Sequence, residues 1–209
     1  MIHIFIAEDH AIVREGLKQL FATTDDIVVV GEASSGKEVP SLVQNSDLDL
    51  LLLDLGMPGA VGTEVIARVR ALVPKLPILV LSMYNEPQTV QRALRAGANG
   101  YLSKDAHPEL LLEAIRKVAA GGKYVEPALA QAMVFEYHVP MERPPHDSLS
   151  DREFHILCLL ANGKTINDIA AELSISANTV STYKARLMQK LDIDSNAALI
   201  RYAISHHLV

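Results

Sequence analysis

The sequence predicts two domains of different class: a doubly wound α/β domain with a five-stranded parallel sheet, then a small all-α domain of four helices. Three observations carry this. Five short β-rich runs alternate with five helical patterns over residues 1–121. One of the runs, Leu50-Leu51-Leu52-Leu53, is apolar throughout, as a strand buried within a sheet requires. From Ser148 onward no strand signal remains.

In order, the spacing predicts strands near 2–7, 27–33, 49–54, 77–82 and 100–103. Helices fill the gaps near 10–23, 36–46, 61–73, 86–96 and 107–121. Asp25-Asp26, Pro58-Gly59, Pro74, Pro77, Gly97 and Gly121-Gly122 mark the loops between them. Five successive βα units imply right-handed crossovers in one parallel sheet. A βα barrel would need about eight units, so it is excluded. Residues 122–147 change character: Pro127, Pro140, Pro144 and Pro145 punctuate them, and they read as a linker with a short helix at 128–136. Residues 148–209 then show helical patterns near 150–161, 165–172, 176–191 and 195–206. Ser150 and Glu153 have the spacing of a capping box.

Apolar residues make up 49% of the 209 and charged residues 21%, which excludes a disordered chain. No apolar run approaches the roughly 18 residues that span a bilayer, and no basic region precedes the first apolar stretch. The expectation is a cytoplasmic protein without membrane contact. The single cysteine, Cys158, sits among Ile156, Leu157, Leu159 and Leu160 and reads as core. The net charge of −6 is uneven. Residues 1–147 hold 13 basic against 19 acidic groups; residues 148–209 hold 6 of each. Within the neutral half, 178–191 carries Lys184, Arg186 and Lys190 and no acid.

Asp54 closes its apolar strand and is followed by Leu55-Gly56-Met57-Pro58-Gly59. That places a carboxylate at the carboxyl end of a strand, the edge where parallel sheets bind ligands. Glu8 and Asp9 follow the strand at 2–7, and Lys104 follows the strand at 100–103. Two carboxylates about 4 Å apart repel by roughly 4 kcal/mol at an effective dielectric near 20. A raised pKa, the lysine or a hard cation must offset this. Oxygen donors with open positions favour Mg²⁺. A carboxylate beside Mg²⁺ and an ammonium is a competent nucleophile toward a phosphoryl group. Helix capping by Glu8 and Asp9, and a solvated Lys104, are the plainer readings of each residue by itself.

Glu8-Asp9, Asp54 with Met57-Pro58-Gly59, Ser82, Ala96-Gly97-Ala98, and Tyr101 with Lys104-Asp105 together resemble the flavodoxin-like receiver domain of a bacterial two-component response regulator. The resemblance implies Asp54 as phosphoacceptor and Glu8, Asp9, Asp54 and the Gly56 carbonyl as Mg²⁺ ligands. It also implies Lys104 as the salt-bridging lysine, Ser82 as the hydroxyl that swings to the phosphate, and Tyr101 as an aromatic switch that rotates into the space Ser82 vacates.

In the tail, two short helices separated by the turn from Leu173 to Ser176 form a helix-turn-helix, with a generic helical bundle as the plainer alternative. On a helical wheel Val180, Tyr183, Leu187 and Leu191 face inward, with Lys184 at the edge. Asn178, Ser181, Thr182, Ala185, Arg186 and Gln189 face outward as a base-reading surface, with Thr179 at the helix start. Lys184, Arg186 and Lys190 are expected on phosphates. The tail resembles the LuxR-type DNA-binding domain, and the whole chain resembles the NarL/FixJ family of response regulators. Ser181, Tyr183 and Ala185 depart from the residues many members carry, so base preference does not transfer. The apolar set Leu199, Ile200, Ala203, Ile204 and Leu208 is a candidate dimer face, with plain core as the equal alternative for Leu199 and Ala203.

The resemblance implies a phosphorelay transcription factor rather than an enzyme, catalysing only its own phosphoryl transfer and dephosphorylation. Its implied partners are a sensor histidine kinase, double-stranded promoter DNA bound as a homodimer, and RNA polymerase at the promoter. In the unphosphorylated protein the receiver is expected to cover the recognition helix. A Mg²⁺-dependent phosphatase is the second reading, but Gly56 occupies the position where its second acid would stand. The third, a DNA binder with a degenerate receiver, conflicts with the intact Glu8, Asp9, Ser82 and Lys104.

Overall fold

The computed structural model describes residues 1–137, 144–206 and 208. The chain divides into two compact units, Met1–Ala132 and Met133–Val209. The first contains strands β1 (Ile2–Ala7), β2 (Ile27–Ala33), β3 (Leu50–Leu53), β4 (Ile78–Ser82), β5 (Gly100–Ser103) and β6 (Tyr124–Val125). Helices α1 (Ala11–Ala22), α2 (Val39–Gln44), α3 (Gly62–Leu72), α4 (Pro87–Ala96) and α5 (Pro108–Ala119) connect these six strands in order. The sheet is wholly parallel, in the order β2-β1-β3-β4-β5-β6.

The fold class is the predicted one with a sixth strand added. Tyr124 and Val125, assigned by sequence to the linker, pair with Gly100 and Tyr101 at the sheet edge. Two residues are too short for any periodicity to announce them. The helix expected at 128–136 is α6 (Pro127–Tyr137).

Strand burial explains the apolar runs. Ile4, Ile6, Leu50, Leu52, Leu79, Leu81 and Leu102 pack with Leu17 and Phe21 of α1 and with Leu111, Ala114, Ile115 and Val118 of α5. Their neighbours Phe5, Leu51, Leu53, Ile78, Val80 and Tyr101 are also buried, and alternation turns them to the opposite face. A sheet covered on both faces needs apolar residues at every position.

Contacts at both edges of the sheet fix its loops, the first at the amino edge and the second at the carboxyl edge beside Asp54. Arg70 of α3 donates to the carbonyls of Pro74 and Leu76 at 2.7 and 2.8 Å and to that of Gly97 at 2.7 Å. Gly97 ends α4 with φ of 115°, a left-handed conformation in which a side chain is strained. Gly62 opens α3 directly against Leu55, the residue after Asp54. A Cβ there would stand 2.4 Å from Leu55 Cδ2 and 2.7 Å from its Cα. Backbone atoms cannot yield as a side-chain tip can. Gly62→Ala is therefore expected to cost about 1–3 kcal/mol by overpacking, read as a lowered thermal midpoint. An unchanged midpoint would show that the loop after Asp54 moves freely.

The second unit contains α7 (Asp151–Ala161), α8 (Ile166–Glu172), α9 (Ala177–Leu191) and α10 (Asn196–Ser205). Phe154, Leu157, Ile169, Leu173, Val180, Leu187, Leu191, Leu199 and Ala203 share its core, and Cys158 is buried there as expected. Ser150 and Glu153 form the expected capping box, and Thr165 with Asp168 forms a second. The expected linker, 122–147, reaches the start of this unit. Residues 141–143 lie outside the described residues, but Pro145–Ser148 forms a 3-10 turn in which His146 is 2% exposed. The His146 N–H donates to the Tyr202 hydroxyl at 3.2 Å and its Nδ1 lies 2.8 Å from the same oxygen. Among the described residues no helix is long and apolar enough to cross a membrane.

Candidate functional site

Four adjacent strands deliver the acidic site. Ala7 at the end of β1 pairs with Leu53 of β3, and Ser82 at the end of β4 pairs with Ser103 of β5. The next residues remain tied to the ladder: Glu8 N–H donates to Ala33 at 3.0 Å, Asp54 N–H to Ala7 at 2.9 Å and Lys104 N–H to Ser82 at 2.9 Å. The site therefore sits at the point between β1 and β3 where the strand order reverses, on backbone that the sheet holds rigid.

Lys104 bridges the two buried acids. Its Nζ lies 2.7 Å from Glu8 Oε2 and 2.9 Å from Asp54 Oδ2, with Glu8 only 2% and Asp54 5% exposed. The second Asp54 oxygen, Oδ1, accepts the Gly56 N–H at 3.0 Å. Burial pushes the Asp54 carboxyl above its ordinary range and Glu8 adds to this, while Lys104 and the Gly56 amide pull it back. Burial lowers the Lys104 pKa, but the carboxylates of Asp54 and Glu8 outweigh it and hold the ammonium above its usual value.

The plainer readings of these residues do not hold. Glu8 and Asp9 do not cap α1, whose N-cap is His10 without a side-chain cap. Lys104 is not a solvated loop lysine. His10 is a residue that sequence reasoning missed: its Nδ1 lies 3.1 Å from both Glu8 Oε1 and Asp9 Oδ1. Oxygens of Glu8, Asp9 and Asp54 and a His10 nitrogen lie within 4.8 Å of one another. Asp9 Oδ1 is buried without a hydrogen-bond partner. An unsatisfied carboxylate oxygen among other hard donors fits a divalent cation. The contact that Gly56 makes here is through its amide.

Ser82 is fully buried and its Oγ accepts the Tyr84 N–H at 3.2 Å. Tyr101 differs from the expectation of a ring that must rotate inward. It is already fully buried, and its hydroxyl donates to the Tyr84 carbonyl. Burial pushes its phenol well above the usual range. Ser82 and Tyr101 thus hold the N–H and the carbonyl of the same loop residue. Beyond it, Asn85 Nδ2 donates to Ser103 Oγ at 2.9 Å, and Ser103 N–H donates to Glu126 Oε2 at 3.2 Å, one residue before α6.

In the second unit α8 and α9 flank the turn Leu173–Ser176, in which Ser174 adopts φ of 52°. Ser176 caps α9 by accepting the Thr179 N–H at 3.0 Å. Val180, Leu187 and Leu191 are buried and Tyr183 half-buried, as the wheel requires. Asn178, Ser181, Thr182, Ala185, Arg186 and Gln189 are exposed on the other face, with Thr179 and Lys184 half-buried at its edges. The Thr182 hydroxyl donates to the Asn178 carbonyl at 2.9 Å.

Two expectations are corrected here. Lys190 is not held out for a phosphate: its Nζ lies 2.7 Å from the Oε2 of Glu153, which is 4% exposed. A buried carboxylate must keep its cation, so Lys190 ties α9 to α7. Of the candidate dimer face, Leu199, Ala203 and Leu208 are core. Ile200 is half-buried, and Ile204 at 58% is the member left exposed.

Comparison with known proteins bears on both units. Residues 4–116 match the family model of the response regulator receiver domain, and residues 147–203 match that of bacterial regulatory proteins of the luxR family. Over 209 residues the chain is 34% identical to the response regulator UvrY of Escherichia coli strain K12, covering all of this chain and 96% of that protein. It is 34% identical over 210 residues to the response regulator GacA of Pseudomonas aeruginosa, covering 98% of it. Among solved structures, RcsB from Salmonella enterica serovar Typhimurium, bound to promoter rprA in the presence of the phosphomimetic BeF3−, superposes with a TM-score of 0.67. It is 27% identical, over 96% of this chain and 97% of that one.

Proposed function

The chain belongs to the NarL/FixJ family of two-component response regulators, DNA-binding regulators of transcription, and on that premise we propose that a sensor histidine kinase phosphorylates Asp54 in the presence of Mg²⁺. The phosphorylated protein then binds promoter DNA as a homodimer through α9. The observation that carries this reading is the Glu8–Lys104–Asp54 bridge at the carboxyl edge of β1 and β3.

Glu8, Asp9 and Asp54, with the Gly56 carbonyl, would hold the Mg²⁺, which neutralises charge on the phosphoryl oxygens. The Asp54 carboxylate makes the new bond to phosphorus, and the kinase histidine nitrogen leaves. Lys104 is already within reach and follows the charge from the carboxylate to the phosphoryl oxygens. Ser82 supplies a hydroxyl donor to the same group. The Tyr84 loop, gripped by Ser82 and Tyr101, is then biased toward one arrangement. A phosphoryl group can shift that equilibrium only by its difference in contacts between the two states. On DNA, Asn178, Thr179, Ser181, Thr182 and Ala185 read base edges while Lys184 and Arg186 hold phosphates. Ile204 and Ile200 remain for contact between two copies. Transcription control, with RNA polymerase as a promoter partner, is the output, and the cytoplasm is the compartment. The domain limits we propose are 1–121 for the receiver and 148–209 for the DNA-binding domain.

Selection from a random DNA pool in Mg²⁺, with and without beryllofluoride, tests this. Enrichment of an inverted repeat only with beryllofluoride is the expected result. Equal enrichment without it would reduce the receiver to a scaffold.

A further inference from the structure

We infer that His10 supplies an imidazole nitrogen to the acidic pocket and turns its preference from Mg²⁺ toward first-row transition ions. The inference rests on the reading that this pocket holds a divalent cation.

Spacing is the first argument. Two ligands about 2.1 Å from an octahedral ion and at right angles to each other lie about 3.0 Å apart. His10 Nδ1 stands 3.1 Å from Glu8 Oε1 and 3.1 Å from Asp9 Oδ1. Both separations match the edge of a coordination octahedron. Asp54 contributes an oxygen to the same cluster.

The division of oxygens is the second. Glu8 Oε2 and Asp54 Oδ2 are taken by Lys104, and Asp54 Oδ1 by the Gly56 amide. Glu8 Oε1 and Asp9 Oδ1 both face His10: the first is within hydrogen-bond distance of its backbone N–H and of Nδ1, and the second is a buried oxygen that lacks a hydrogen bond.

The chain also holds the turn that carries the ring. His10 N–H donates to Glu8 Oε1 at 3.0 Å, and Arg14 Nη1 donates to the Glu8 carbonyl at 2.7 Å. The Glu8-Asp9-His10 turn that carries the ring is thereby fixed at its start and its end. The His10 side chain is 66% exposed, which leaves its outer side open for water ligands. An all-oxygen set suits Mg²⁺; an added imidazole favours Fe²⁺, Ni²⁺ or Zn²⁺, and Mn²⁺, the first-row ion that shares the oxygen preference of Mg²⁺, is the mildest probe of its effect. The receiver would then carry a preference set by one residue outside its phosphoacceptor machinery.

The test uses the full chain with Mn²⁺ and Mg²⁺ as probes. Electron spin-echo spectroscopy of bound Mn²⁺ is expected to show hyperfine coupling to an imidazole nitrogen, absent in His10→Ala and His10→Gln. Titration calorimetry is expected to show the Mn²⁺/Mg²⁺ affinity ratio falling at least about tenfold in both variants, since losing a ligand costs no less than losing the partner that orients one. Mg²⁺ affinity should stay within about threefold of wild type, because the oxygen set is intact. Binding of both ions without nitrogen coupling, and with an unchanged ratio in the variants, overturns the inference. His10 is then only a hydrogen-bonding neighbour of the two carboxylates. No binding of either ion to the wild type overturns the cation reading of the pocket as well.

Discussion

Asp54→Asn is expected to reduce phosphoryl incorporation from a kinase or a small phosphodonor to background. It should also abolish the effect of beryllofluoride on DNA binding. In the wild type that effect should be about 5- to 150-fold in affinity, the usual range of coupling between two sites in one protein. The amide replaces a buried carboxylate that has both a cation and a backbone N–H on it, and an amide is not a nucleophile toward phosphorus at neutral pH. The fold should survive. Asparagine has the same shape, and its oxygen can still accept the Gly56 amide. Burial already penalises the Asp54 charge, so its removal relieves repulsion with Glu8 instead of opening a hole. A thermal midpoint at or above the wild-type value, together with lost phosphorylation, would separate chemistry from folding. Normal phosphate incorporation in the variant would sink the assignment.

Most of this site was legible in the sequence because strand ends are legible. A strand buried on both faces must be apolar at every position, so the first charged residue after it marks the edge of the sheet. Asp54 after Leu50–Leu53 and Glu8 after Ile2–Ala7 are read in this way, and the observed strands differ from the predicted ranges by one residue at most. What stayed hidden depends on contacts between residues distant in sequence or on side-chain direction. Lys190 looked like a free cation because Glu153 is 37 residues away. The His10 ring folds back over Glu8 and Asp9, and no periodicity describes a loop of three residues. Tyr124–Val125 becomes a strand only because β5 offers an unpaired edge beside it. The last helix failed differently. Its apolar residues were counted correctly, but a small domain needs Leu199, Ala203 and Leu208 for its own core before any can face a second copy. For α9 the wheel sufficed, since one face of a long helix is set by its period.

Lys104→Ala should cause the largest loss of stability, and its pH dependence identifies the cause. The substitution leaves Glu8 and Asp54 facing each other, 2% and 5% exposed, without their shared cation. Removing one partner from a buried ionic arrangement costs about 3–5 kcal/mol. Hydrogen exchange of the β1 and β3 amides reports it within the receiver itself. The sign of the pH effect follows from Asp54. Its folded pKa already lies above the ordinary 3.8, and Lys104 is the main group pulling it down. Without Lys104 the folded carboxyl binds its proton still more tightly than the unfolded chain does. Stability of the variant therefore rises as pH falls through the folded pKa toward 3.8, so protection at pH 5 should exceed that at pH 8. In the wild type the Lys104 contribution is present below the ordinary 10.5 and is lost as pH rises through its higher folded value. That alkaline transition should be missing from the variant. Added Mg²⁺ should restore part of the protection at pH 8, because a cation bound only by the folded state stabilises it by mass action. Equal destabilisation at pH 5 and pH 8 would mean that Lys104 acts by packing its stem, and that charge balance is not what holds the two acids together.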